Sequence, residues 1–148
     1  MTRELLVSSM VGAFFICSAA LDAASGEPLV ALLRKNALFG RWSVDCSKPA
    51  SANHSHVVIR QAGEQVYYET VTNGDATDPS VIEGAEERPG GILTLKLSNR
   101  SRRLEMMVMV VNDTWRTWRS ERTDGRAFIA DGRFTDNQQE TAWLRRCK

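Results

Sequence analysis

The sequence predicts an all-β fold: a small closed β-barrel of eight or nine mostly antiparallel strands with one short N-terminal helix. Three observations carry this. After Gly40 the apolar residues recur with a period of two, the spacing of a half-buried strand. The breaks between these runs are dense in turn residues, as in "SKPASANHS", "NGDATDP" and "RPGG". Cys46 and Cys147 stand at the two ends of the strand-bearing region, as if to tie the first strand to the last.

The front of the chain reads as a targeting segment. Arg3 and Glu4 open it, "LLVSSMVGAFFICSAAL" is apolar or small throughout, and small residues surround Ala23 and Ala24. A charged start, an apolar stretch and a small-residue cleavage zone make a secretory signal. The apolar stretch is shorter than the ~20 residues of a membrane span. Residues 1–24 are therefore expected to be a signal peptide, and 25–148 a single barrel domain, periplasmic or secreted, with no stable membrane span after cleavage. In "GEPLVALLRKNALFG", Pro28 suits a first helical position, Leu29, Leu32 and Leu33 share a face, and Asn36 or Gly40 ends the helix.

Strands follow at about 40–46, 56–61, 65–72, 80–86, 91–98, 102–111, 114–122, 126–130 and 140–147. "ILTLKLS" alternates cleanly, with Leu93, Leu95 and Leu97 on one face; "LEMMVMVV" is apolar on both, as in a central or covered strand. Regular short strands with such turns indicate a closed sandwich or barrel. In an exported chain, the even pair Cys46 and Cys147 reads as a disulfide. Closing so long a loop is worth roughly 4–5 kcal/mol on the chain-entropy model. Trp42, Val44 and Cys46 fall on one face of the first strand, and Trp143, Arg145 and Cys147 on one face of the last. Antiparallel neighbours would carry those cysteines to opposite rims, so either the strand count is odd or the last segment crosses the barrel mouth.

The charge balance is near neutral, 19 basic against 18 acidic residues, and gives no reason to expect nucleic acid. From Asn99 on, bases outnumber acids and nearly all are Arg. "DTWRTWRSER" interleaves Trp115 and Trp118 with Arg116, Arg119 and Arg122. Tryptophan beside arginine can grip an anion. Residues three apart lie on opposite faces of a strand, so only one Trp faces out unless a bulge intervenes. Trp115, Arg116 and Trp118 are the candidate ligand-binding residues; the alternative is Trp118 in the core with the arginines paired across strands. "NRSRR" is a solvated basic hairpin tip. His54 and His56 read as solvated loop residues, and with no further histidine or free cysteine no metal site is expected.

"FGRWSVDC", with its Gly40-Arg41-Trp42, resembles the Gly-x-Trp opening of lipocalins and of the bacterial Inh-type metalloprotease inhibitors. "GRWSVDCSKP" and "TAWLRRCK" together also resemble the ends of small exported bacterial proteins. The resemblance implies an eight-stranded barrel whose tryptophan plugs the closed end, often under an arginine. Here Trp42, with Trp143 near the seam, takes the structural place, and Arg145 or Arg146 covers it. The C-terminal cysteine and the additional strand depart from both families.

No catalytic constellation is visible: there is no nucleophile elbow, phosphate loop or zinc helix motif. The chain reads as a non-enzyme without cofactor. The expected function is to bind a small apolar or amphipathic anionic ligand in the barrel. The alternative is a module that binds an envelope protein, such as a protease inhibitor, inserting residues 25–38 or the loop 48–55 into its partner.

Overall fold

The structure, a computed structural model, describes residues 28–148. The expected signal peptide, 1–24, lies outside the described residues. Helix α1 (Leu29–Lys35) follows Pro28, which sits at the N-cap rather than inside the first turn. It ends at Asn36 in a reciprocal hydrogen-bonded turn: Ala37 N–H donates to the Arg34 carbonyl and Leu38 N–H to that of Leu33, both at 2.9 Å. Ala37 takes the left-handed position of this motif (φ 53°) that glycine usually fills. The turn buries Leu38 and directs its carbonyl to Trp42 Nε1, 2.9 Å away.

Ten strands follow: β1 (Gly40–Ser43), β2 (His56–Ala62), β3 (Gln65–Thr72), β4 (Asp75–Arg88), β5 (Ile92–Ser98), β6 (Arg103–Val111), β7 (Thr114–Arg122), β8 (Ala127–Ala130), β9 (Arg133–Phe134) and β10 (Leu144–Cys147). They form one antiparallel sheet in the order β10-β1-β2-β3-β4-β5-β6-β7-β8-β9, and β10 also pairs with β7. That pairing closes an eight-stranded barrel from β1–β7 and β10. β7 divides its free edge: Trp115 and Thr114 at its start pair with Leu144 and Arg145 of β10, whereas Ser120 and Glu121 near its end pair with Ile129 and Ala127 of β8. The hairpin β8–β9 thus stands beside the upper half of the seam.

Against the sequence reading, the first and last strands are shorter, β4 is longer, and β9 is additional. β4 begins at Asp75, immediately after the Asn73-Gly74 turn, and runs through Pro79. Its ladder with β3 shifts register between Tyr68 and Thr70, opposite Pro79, so the missing N–H costs no regular ladder bond. The final strand begins only at Leu144; what precedes it is a turn-rich segment packed outside β7.

The disulfide Cys46–Cys147 is present, with Cα atoms 5.2 Å apart and 101 residues between them. It is reached by neither expected route, since β1 and β10 are direct antiparallel neighbours with Arg41 opposite Cys147. β1 stops at Ser43, alternation breaks with Trp42 and Ser43 both buried, and the chain folds back so that Cys46 lies beside β10. Trp42 and Cys46 therefore do not share a face: Trp42 points into the barrel, and Val44 is exposed.

The core fills the lower half of the barrel. Trp42 and Trp115, each 1% exposed, meet edge to face at 6.1 Å, with Ile59, Leu95 and Val108 around them. Leu33 and Leu38 close the lower end. A salt bridge ties α1 down at its rim, Lys35 Nζ lying 2.8 Å from Glu87 Oε2. Outward strand positions carry charge, among them Arg60, Lys96, Glu105, Arg119 and Glu121. This is the reverse of a membrane-spanning barrel, whose outer band is apolar. No helix among the described residues is long and apolar enough to cross a membrane.

Candidate functional site

The upper half of the barrel is hollow. A cavity of about 470 Å³ opens there, within the ~300–1,000 Å³ of small-molecule sites. Its composition follows from the register. Inward positions of β5 and β6 supply an apolar wall of Leu97, Leu104 and Met106. Where the lower layer of β7 has Trp115, the upper layer has only Thr117 and Ser120, and the missing volume is the cavity. Tyr68, Thr70 and Ser80 on β3 and β4 give the facing wall hydroxyl groups. Phe128, Ile129 and Phe134 of the β8–β9 hairpin complete the enclosure where the β7–β10 pairing ends. Phe134, an exposed apolar side chain at 40%, has its explanation here. Arg102, in the β5–β6 turn, is the one charged residue lining the cavity among the described residues.

The polar groups differ in how they are satisfied. Thr117 Oγ1 donates weakly to Met106 Sδ at 3.8 Å, and Ser80 Oγ accepts from Asn99 Nδ2 at 3.3 Å. Tyr68 makes no hydrogen bond within the described residues. Burial pushes its phenol pKa up to about 12, so the ring keeps its proton.

The expected ligand-binding residues do not gather at this cavity. Trp115 is core. A register shift in the β6–β7 ladder leaves Trp118 without a paired residue, since Met107 pairs with Arg119 and Val108 with Thr117. That bulge turns Trp118 to the outside, on the same side as Arg116. There Arg116 lies between two indoles, its guanidinium carbon 5.2 Å from the Trp118 ring and 5.1 Å from that of Trp143. Its Nη1 is 3.9 Å from Glu140 Oε2, and its Nε is buried without a partner among the described residues. Gly132 passes directly beneath: a Cβ there would lie 2.6 Å from Arg116 Nη2. The cluster clamps residues 130–143 to the outer face of β7, helped by Thr141 Oγ1 donating to the Thr117 carbonyl at 2.7 Å.

Trp143 is 41% exposed and belongs to this clamp, not to the core beside Trp42 as expected; it lies just before β10, on the outer side with Arg145 and Cys147. Arg146, rather than Arg145, covers Trp42, with its guanidinium carbon 5.1 Å from the indole and a hydrogen bond from Nη2 to the Ala37 carbonyl. Gly40 beside it holds a left-handed φ of 129° that other residues rarely adopt, while a Cβ there would meet the Arg146 side chain only at ordinary contact distance, 4.0 Å.

The histidines are not free loop residues: His56 is buried and His54 is half-buried. His56 is 3% exposed beneath the loop 44–55, its Nε2 3.0 Å from the Lys48 carbonyl, and its ring meets His54 edge to face at 5.3 Å. His54 Nε2 lies 2.7 Å from the Asp45 carbonyl. Among the described residues no three potential metal ligands cluster. This loop is pinned at several points, including a hydrogen bond from Ala52 N–H to Asn73 Oδ1 at 3.1 Å. Asp45 has its carboxyl held below the usual range, chiefly by the Ser47 hydroxyl and then by the Ser47 N–H. A second concavity, about 390 Å³ on the outer face of β6 and β7, is lined by Arg88, Glu105, Arg119 and Glu121. Its arginines are engaged: Arg119 donates through Nε and Nη2 to Glu121 at 3.0 and 2.5 Å.

Sequence reasoning missed Tyr68, Ser80, Thr117, Ser120 and Arg102 as cavity residues. The available signal was a run of small hydroxyl side chains at inward positions, beside strands whose inward positions are Leu and Met. Comparison with family models, with curated proteins and with solved structures found no match.

Proposed function

We propose that this protein is an exported carrier of the cell envelope, periplasmic or secreted, whose barrel holds one small apolar or amphipathic anionic ligand. The observation that carries this reading is the hollow upper half of a barrel whose lower half is fully packed. Apolar walls supply binding by burial, roughly 25 cal/mol per Å² of apolar surface removed from water, and a few hydroxyls orient the ligand. Arg102 lies at the mouth, where an anionic end would stay in water. The disulfide fits an oxidising compartment. The Gly-x-Trp opening under Arg146 is lipocalin-like, which supports the architecture and, because small barrels host many activities, leaves the ligand to be argued from the cavity.

Binding a protein partner by inserting residues 25–38 or the loop 48–55 is less well supported. Leu33 and Leu38 are fully buried in the barrel end, and the loop is tied to β2 and β3. The test is native mass spectrometry of the protein exported in a bacterial host. The proposal expects extra mass that is lost on denaturation. A bare native mass, with a partner recovered by pull-down, favours the protein-binding alternative.

A further inference from the structure

We infer that Tyr68 is the donor that selects the ligand, and that the cavity takes a compact apolar molecule whose inner end carries a neutral oxygen acceptor such as a ketone, ester or ether. The inference rests on the cavity being the ligand site and assigns its polarity.

Tyr68 stands at the boundary between packed and hollow halves. Its ladder neighbours are Ile59, part of the filled core, and Ser80, which lines the cavity. It is therefore at the floor. Its side chain is partly buried and lines the cavity, and its hydroxyl makes no hydrogen bond within the described residues, so a ligand that displaces water from it must supply an acceptor in its place. Thr117 already donates to Met106 Sδ, whereas Ser80 accepts from Asn99 and keeps its own hydrogen beside the phenol. A phenol is protonated at neutral pH, so its oxygen presents a hydrogen to whatever reaches the floor.

The charge of the site lies elsewhere. Arg102 belongs to the exposed turn between β5 and β6, at the mouth. A carboxylate driven to the floor would be desolvated with no cation beside it. A neutral acceptor there loses far less, and a negatively charged group on the same molecule stays outside, near Arg102. The ligand enters acceptor first.

The experiment uses a matched pair of probes with one shape: 2-acetylnaphthalene, which has the carbonyl, and 2-isopropenylnaphthalene, in which a CH₂ replaces the oxygen. Both are titrated calorimetrically into the exported protein and into Tyr68→Phe. That variant keeps the ring and loses one oxygen, and its fold is checked by an unchanged melting temperature at neutral pH. The inference predicts about three- to ten-fold tighter binding of the ketone to the native protein. In Tyr68→Phe the two affinities become equal, with the hydrocarbon's unchanged. Equal affinities in the native protein, or a preference that survives Tyr68→Phe, overturn the inference while leaving the cavity a ligand site. If neither probe binds either protein, the carrier reading fails and the inference falls with it.

Discussion

Single residues set what this barrel can hold. Trp42 and Trp115 fill the lower half, and Thr117 and Ser120, at equivalent inward positions higher on β7, leave the upper half empty. Tyr68 lies at the junction, and its burial has a consequence for stability. The folded phenol ionises near pH 12, whereas the unfolded one ionises near 10. Between those values the folded chain keeps a proton that the unfolded chain has lost. The contribution is therefore intact below about pH 10 and is lost as the pH rises towards about 12. Urea unfolding across this range is expected to show a steeper loss of stability in the native protein than in Tyr68→Phe. Parallel curves would mean that Tyr68 is not shielded from water.

Among the elements, β1 and β10 carry the closure. β1 has only four residues, and its cross-link to β10 comes from a chain that folds back after Ser43. Cys46→Ser is expected to lower the melting temperature markedly in non-reducing buffer. For a loop of this length the chain-entropy contribution is about 4–5 kcal/mol, a large part of the typical ~5–15 kcal/mol of a domain. An unchanged melting temperature would show that the β1–β10 ladder suffices. The elements were largely legible from alternation: the strands containing Val66–Val71, Leu93–Leu97 and Met106–Val110 lie where period two places them. Two local features were not. Pro79 looked like a strand breaker because the bulge that accommodates it depends on the partner strand. The outward turn of Trp118 was the other, because its bulge opposite β6 also arises only on pairing.

At the scale of the whole molecule, closure itself was readable and its interior was not. Two cysteines at the ends of a strand-rich chain point to a tied barrel wherever the strands finally pair. Whether the barrel is filled depends on which inward residues share a layer. That requires the register across β3, β4, β6 and β7, residues separated by up to about fifty positions in the chain. The interleaved Trp and Arg of β7 drew attention for their chemistry, yet Arg116, Trp118 and Trp143 fasten the outer segment while quieter hydroxyl residues line the space. That segment has a part in the site, because the hairpin it secures brings Phe128 and Phe134 against the cavity.

The central claim is that the upper barrel is an open, ligand-accessible chamber. The most direct measurement is the fluorescence titration of the neutral probe 1-aminoanthracene into the native protein and into Ser120→Phe, whose added ring occupies the chamber between β6 and β8. The account predicts saturable one-to-one binding to the native protein and its loss in Ser120→Phe, with the melting temperature of the variant equal or higher. Binding of equal strength to both proteins, or none to the native one, would contradict it.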